Sequence, residues 1–167
     1  FEAAGIDTSY VVETEQAQTG QAFITVDAQG QNTIYVYGGA NMTIDEADVA
    51  RAEAAIAEAD FIVAQLEVPI PAITAAFKMA RAHGVTTLLN PAPAKALPDD
   101  LLQLIDIIVP NESEAETLSG VPVTDEASMR ESAAYFHDLG IHTVLITLGE
   151  HGTFYSTDAG SEQLEAY

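Results

Sequence analysis

Carboxylates and an amide crowd the segment from Ile105 to Gly120, IDIIVPNESEAETLSG. Ile105 to Val109 is a short β-branched run of the kind that forms a buried parallel strand. Pro110 ends it, having no N–H to donate to a sheet ladder. Ser113 and Glu116 have capping-box spacing, which predicts a helix opening there with Asn111 and Glu112 in the turn before it. Asn111, Glu112 and Glu114 then sit at the carboxyl end of a central strand, where open α/β sheets bind ligands. The same residues also suit a purely local role, because acids complement the positive end of a helix dipole.

Glu67 ends a second apolar run, in Gln65-Leu66-Glu67-Val68-Pro69. It is either a helix-start acid or a carboxylate aimed at a ligand hydroxyl, and sugars suit the latter because ionised carboxylates accept from O–H groups. Gly149 and Gly152 flank two polar residues directly after a third apolar run. Glycines there permit positive φ and close approach of a ligand, and they equally suit a tight hairpin turn. Neither Gly-x-x-x-x-Gly-Lys-Ser/Thr nor Gly-x-Gly-x-x-Gly occurs. His83, His137, His142 and His151 lack metal-ligand spacing. His83 and His137 fall near predicted helix ends, and His151 lies in the glycine loop. No Gly-x-Ser-x-Gly elbow supports a hydrolase.

The elements that would hold these groups alternate. Three extended stretches come first: Ser9 to Glu13, Gln21 to Asp27 and Asn32 to Tyr37. The last two are joined by the turn Ala28-Gln29-Gly30-Gln31 as a hairpin. This small sheet could cover a ligand or pair with a second subunit. Thr43 and Glu46 suggest a second capping box, opening an alanine-rich helix to about Glu58. Strands are expected at 60–67, 85–89, 105–109 and 141–147, with a weaker one at 153–156. Helices are expected at 71–83, 99–104 and 125–139, besides the one after Asn111. Asn90-Pro91-Ala92-Pro93 is a stiff loop. Alternation of this kind gives a doubly wound, mostly parallel α/β sheet with flanking helices, plus a small β-sheet lid. The lid occupies residues 1–40 and the core 41–167.

At 167 residues, 48% of them hydrophobic, the chain is about one domain. Its 26 acids against 5 basic residues give a formal charge of −21. That argues against nucleic acid and anionic membrane as partners, since both are bound by Lys and Arg. A nucleotide remains compatible, because backbone amides, helix N-termini and a divalent cation hold phosphates with few basic side chains. Without cysteine there is no disulfide, thiolate nucleophile or Cys-based zinc site. No apolar run reaches the roughly 18 residues of a membrane span, and the first residues lack signal-peptide character. A cytoplasmic protein is the expectation. On that footing the glycosylation patterns Asn41-Met42-Thr43 and Asn111-Glu112-Ser113 are idle.

Together the stretches TGQAFITVDAQGQNTI, GGAN, QLEVP, LNPAPAKALPDDLL, IDIIVPNESEAETLSG and TVLITLGEHG resemble the ribokinase family of carbohydrate kinases, in family order and across nearly the whole chain. The resemblance implies phosphoryl transfer from ATP to the 5-hydroxyl of D-ribose. Asn111 would contact ATP phosphates, and Glu114 would organise Mg2+ through water. Thr147, Leu148, Gly149, Glu150, His151 and Gly152 would line the nucleotide site. Glu67 would hold a sugar hydroxyl while Ala22, Ile24 and Ile34 of the flap close over ribose. A homodimer through the flap is implied, and a K+ site, where present, is expected outside these residues. A related kinase of another sugar or a nucleoside, or a non-catalytic binding module, remain the alternatives. The family's upstream sugar-binding segment and its Gly-Ala-Gly-Asp, whose Asp is the base, do not occur here. The chain is therefore expected to be the middle of a longer enzyme or a degenerate relative, inactive alone.

Overall fold

The computed structural model describes residues 1–166; Tyr167, the last residue of the expected core, lies outside them. Two sheets form. Strands β1 (Gln21–Val26) and β2 (Asn32–Tyr37) make an antiparallel hairpin. The turn between them is tied by Asp27, whose carboxylate accepts from the N–H groups of Gln29 and Gln31 at 2.9 Å each. The second sheet has six strands in sequential order: β3 (Phe61–Gln65), β4 (Thr86–Asn90), β5 (Ile107–Ile108), β6 (Thr143–Thr147), β7 (Thr153–Thr157) and β8 (Gly160–Leu164). β3 through β6 are parallel, and β7 and β8 add antiparallel edges. The expected architecture is present: a mostly parallel sheet, flanking helices and a small separate β-sheet.

Helices fill the crossovers. Between the sheets lie α1 (Glu46–Arg51) and α2 (Glu53–Glu58). α3 (Ile70–Ala82) joins β3 to β4, and α4 (Asp99–Leu102) joins β4 to β5. α5 (Glu112–Ser119) and α6 (Glu126–Asp138) join β5 to β6. Each parallel connection moves one strand in the same direction, and right-handed crossovers therefore deliver every intervening helix to one face of the sheet. On that face Leu89, Ile108, Val144, Ile146 and Phe154 are buried against Phe77, Ala115, Ala133 and Phe136. The alternate residues point the other way, and Phe61 and Val63 stay 56% and 64% exposed. Leu88, Ile107, Leu145 and Tyr155, also on that side, are only half-buried.

Several local expectations change. Ser9 to Glu13 forms no strand, because nothing pairs with it among the described residues. The first helix is capped by Asp45 and Asp48, not Thr43 and Glu46, and it breaks at Ala52 into α1 and α2. The helix expected at 99–104 stops at Leu102. The strand expected at 105–109 keeps ladder geometry only at Ile107–Ile108, although Val109 N–H still donates to Leu89 O at 2.9 Å. No range was expected for a strand at 160–164; β8 forms there on β7.

The amino-terminal rim of the sheet is a structural polar node. Thr87, fully buried, sets its hydroxyl 2.5 Å from Leu104 O and 2.9 Å from Asp106 Oδ2. Asp106 in turn pairs with Arg81 at 2.7 Å. No helix among the described residues is long and apolar enough to cross a membrane.

Candidate functional site at the carboxyl ends of the strands

Glu67, Asn90, Asn111 and Gly149 all lie at or just beyond the carboxyl ends of β3, β4, β5 and β6. Because those strands are parallel neighbours, the four positions share one rim of the sheet. With strands about 4.8 Å apart, the rim from β3 to β6 spans about 14 Å.

At the β3 end, the β1–β2 hairpin and the six-stranded sheet meet. Ala22, Ile24, Ile34 and Glu67 line one depression of about 340 Å³, together with Val36 and Asn41. Cross-strand pairing explains the apolar wall: Ala22 stands opposite Val36 and Ile24 opposite Ile34, so all four project from one face of the hairpin. Val36 was not among the expected site residues, and the hairpin register was the signal that could have found it.

At the β5 and β6 ends, the backbone is stitched across the rim. Asn111 forms an isolated parallel bridge with Thr147, and Thr147 N–H donates to Pro110 O at 2.9 Å. Asn111 is the N-cap of α5 and Glu112 its first residue, two residues earlier than the expected Ser113–Glu116 box. The actual box is reciprocal. Asn111 Oδ1 accepts from Glu114 N–H at 2.8 Å, and Glu114 Oε2 accepts from Asn111 N–H at 2.8 Å. Asn111 wins the cap because it follows Pro110 directly in extended conformation (φ −83°, ψ −179°).

Leu148 opens a tight turn that closes with Leu148 N–H donating to Gly152 O at 2.9 Å. Gly149 and Gly152 have φ of 56° and 87°, so both need glycine. Leu148 and His151 line a second depression of about 250 Å³ with Glu112, Val123, Thr124, Met129 and Gln163. Gln163, from the unexpected β8, donates to His151 O at 3.0 Å. Glu150 is exposed in the same turn. The two depressions share no lining residue, and Asn111 and Glu114 line neither.

Glu114 retains acceptor capacity. Among the described residues its Oε1 accepts no hydrogen bond, while Oε2 is held by the cap. No group of three or more acids or histidines is gathered for a metal among those residues. That donor set fits Mg2+, which needs only one or two carboxylates beside substrate phosphates and waters. The carboxylates held below their ordinary range are helix caps and a loop acid. Asp48 is lowered chiefly by the Asp45 N–H and then by Arg51. Asp125 is lowered by the N–H and then the hydroxyl of Ser128, and Asp7 by the hydroxyl and then the N–H of Ser9. Of the histidines, His83 stands 3.4 Å from Glu53 and His142 3.4 Å from Asp158. His137 is held by Ile141 O at 2.8 Å and Ser156 Oγ at 2.9 Å, away from the rim.

One buried side-chain polar atom among the described residues has no partner: Asn90 Oδ1, at the end of β4 between the two depressions.

Known proteins are similar to this chain in sequence and fold. The family model described as pfkB family carbohydrate kinase matches residues 1–167. The ribokinase of Staphylococcus aureus (strain COL) is 66% identical over 167 residues, covering 100% of this chain and 55% of that protein. Among solved structures, the crystal structure of Sa239, also 66% identical, superposes with a TM-score of 0.96 over 100% of this chain and 55% of the other. Arabidopsis thaliana ribokinase complexed with ribose and ATP has a TM-score of 0.79 at 28% identity, over 90% of this chain and 49% of that one. The chain thus spans about half the length of the curated relatives it matches. A family match along its whole length, on a sheet whose strand ends collect Glu67, Asn111 and the 147–152 turn, makes this chain a member of the pfkB family of carbohydrate kinases.

Proposed function

We propose that these residues form the lid and part of the binding crevice of a cytoplasmic kinase that phosphorylates D-ribose at its 5-hydroxyl with ATP. The observation that carries the proposal is the shared rim. It puts a carboxylate under an apolar lid at one end and a helix N-terminus beside a glycine turn at the other. Residues 1–40 act as the lid and 41–167 as the core. Ala22, Ile24, Ile34 and Val36 exclude water from the sugar. Glu67 accepts from a sugar hydroxyl, an interaction that orients the ring.

In the same proposal the α5 N-terminus and Asn111 receive the triphosphate, where N–H groups and the dipole favour negative charge. Thr147, Leu148, Gly149, Glu150, His151 and Gly152 line the nucleotide, with the glycines allowing close backbone approach. Glu114, through Oε1, would hold the hydration shell of Mg2+, which when bound supplies charge neutralisation on the phosphates. Positioning is the main contribution these residues make to such a reaction. A general base is assigned to none of them, and neither is a K+ site. The outer face of the lid, with Phe23 and Tyr35 exposed, suits a homodimer contact. A two-stranded hairpin is marginal without packing support.

The test is sugar-dependent ADP formation by the full-length protein with ATP and Mg2+, run beside other pentoses, hexoses and nucleosides. Ribose should give the highest kcat/KM, with 5-phosphorylated product, and the 167-residue chain alone should give no turnover. A different preferred substrate would leave a carbohydrate kinase and remove ribose. Ligand binding without turnover by the full-length protein would leave a binding module.

A further inference from the structure

The chain has five cationic Lys and Arg side chains against 26 acids, so a cation that ignores the carboxylates is notable. Arg51, Lys78, Arg81 and Arg130 each pair with an acid: Asp48, Asp100, Asp106 and Glu126. Lys95 does not. Among the described residues it has no carboxylate within 4.0 Å, and its Nζ instead donates to the main-chain carbonyl of Leu66 at 2.8 Å.

Leu66 is the residue between the end of β3 and Glu67. The β3–β4 ladder stops at Gln65 opposite Asn90, so the peptide groups of Leu66 lose their sheet partners. The loop after β4 replaces both. Ala92 O accepts from Leu66 N–H at 2.9 Å, and Lys95 Nζ holds Leu66 O. The Leu66 side chain, 2% exposed, is locked in the core below, and Pro91 is fully buried at the root of the loop. Leu66 is therefore fixed from three sides, and Lys95 is the tie on the Leu66–Glu67 peptide itself. That fixes the direction in which the exposed Glu67 side chain leaves the backbone, under Ala22, Ile24 and Ile34. Of the two hydrogen bonds the charge-assisted one is the stronger, and it is the one that a side-chain substitution removes.

We propose that Lys95 is a positioning residue for Glu67, setting the carboxylate for the sugar through the Leu66 carbonyl. This rests on the reading of Glu67 as the acceptor of a sugar hydroxyl. A carboxylate that must meet a hydroxyl gains from a fixed backbone, because a small displacement weakens a short directional bond.

A double-mutant cycle in the full-length protein tests it, reading KM for sugar, KM for ATP and Tm for Lys95→Met, Lys95→Arg, Glu67→Gln and Lys95→Met with Glu67→Gln. Lys95→Met should raise the sugar KM about tenfold, a size usual for groups coupled in one network. It should leave the ATP KM within about twofold. Lys95→Arg should restore most of the loss, because a guanidinium can donate to the same carbonyl. In the Glu67→Gln background, Lys95→Met should add less than about twofold. Equal factors in both backgrounds would overturn the inference alone. So would a parallel rise in both KM values with a fall in Tm that Arg fails to restore. If Glu67→Gln by itself leaves the sugar KM unchanged, the reading of Glu67 fails and takes this inference with it.

Discussion

Asn111 and Glu114 satisfy each other's backbone: each side chain accepts, at 2.8 Å, from the other's main-chain N–H. Glu114 is thus at once the closure of a helix cap and a carboxylate with an unused oxygen at the proposed phosphate end of the crevice. The two roles are separable. Glu114→Gln keeps a residue type that closes capping boxes, so Tm should hardly move, while the Mg2+ concentration for half-maximal rate should rise about 10–100-fold. Glu114→Ala should show the same kinetic change plus a loss of about 1 kcal/mol in denaturant unfolding. Unchanged Mg2+ dependence in both variants would leave Glu114 as a cap alone.

Thr87 tests the opposite rim. Its buried hydroxyl sits among Leu104 O, Asp106 Oδ2 and the Asp106 N–H, which donates to it at 2.9 Å. Thr87→Val conserves shape and removes the hydroxyl, which should cost about 1–3 kcal/mol in chemical denaturation. Kinetic constants should stay within about twofold, since open α/β sheets bind ligands at the other end of their strands.

Gly152 combines a φ of 87° with no room for a side chain, since a Cβ would run into the Leu164 carbonyl and the Ala166 N–H. Gly152→Ala should therefore push β8 from the turn, loosening the contact between Gln163 and His151. The expected readout is a raised ATP KM with a smaller change in sugar KM, accompanied by faster amide exchange across 160–164.

Asp125 gives a pH signature. Its carboxyl is held below the ordinary range by the Ser128 N–H and hydroxyl, so its contribution to stability is complete above the unfolded value of about 3.9. It disappears as pH falls through the lower folded value. Asp125→Asn keeps a capping oxygen but no charge. Tm of the parent should exceed that of the variant at neutral pH, and the two should converge in acid. A constant gap down to the acid limit would mean the charge is not the cause.

The lid predicts assembly. Phe23 and Tyr35 are directly paired on its outer face and 59% and 63% exposed. Tyr35→Lys in the full-length protein should convert a dimer to a monomer in sedimentation experiments. A monomeric parent would remove the proposed contact.

Much of this was written locally in the chain. The alternation of apolar runs with alanine-rich stretches marks the parallel strands at 61–65, 86–90 and 143–147. The glycines at 149 and 152 announce their turn, and the residue types at 67, 111 and 114 announce polar groups at strand ends. Such signals are legible because they depend on neighbours within a few positions: side-chain period, a missing N–H, a backbone that needs φ above zero. Local spacing does not locate the cap at Asn111, because Ser113–Glu116, two residues on, and Asn111–Glu114 both fit a capping box. What separates them is the bridge from Asn111 to Thr147, 36 positions away.

Tertiary structure alone decided the rest, because each remaining feature is a meeting of distant segments. Ser9 to Glu13 has strand composition and finds no partner among the described residues, whereas 160–164 has weak composition and pairs with β7. That the crossover helices α3 to α6 fall on one face follows from the order in which the strands lie, which no single segment encodes. The same order brings Lys95 to the carbonyl before Glu67, while Ala22, Ile24 and Ile34 of the separate hairpin line one depression with that carboxylate. Sequence supplied the groups and their local conformations; the long-range pairing of the sheet determined which of them meet.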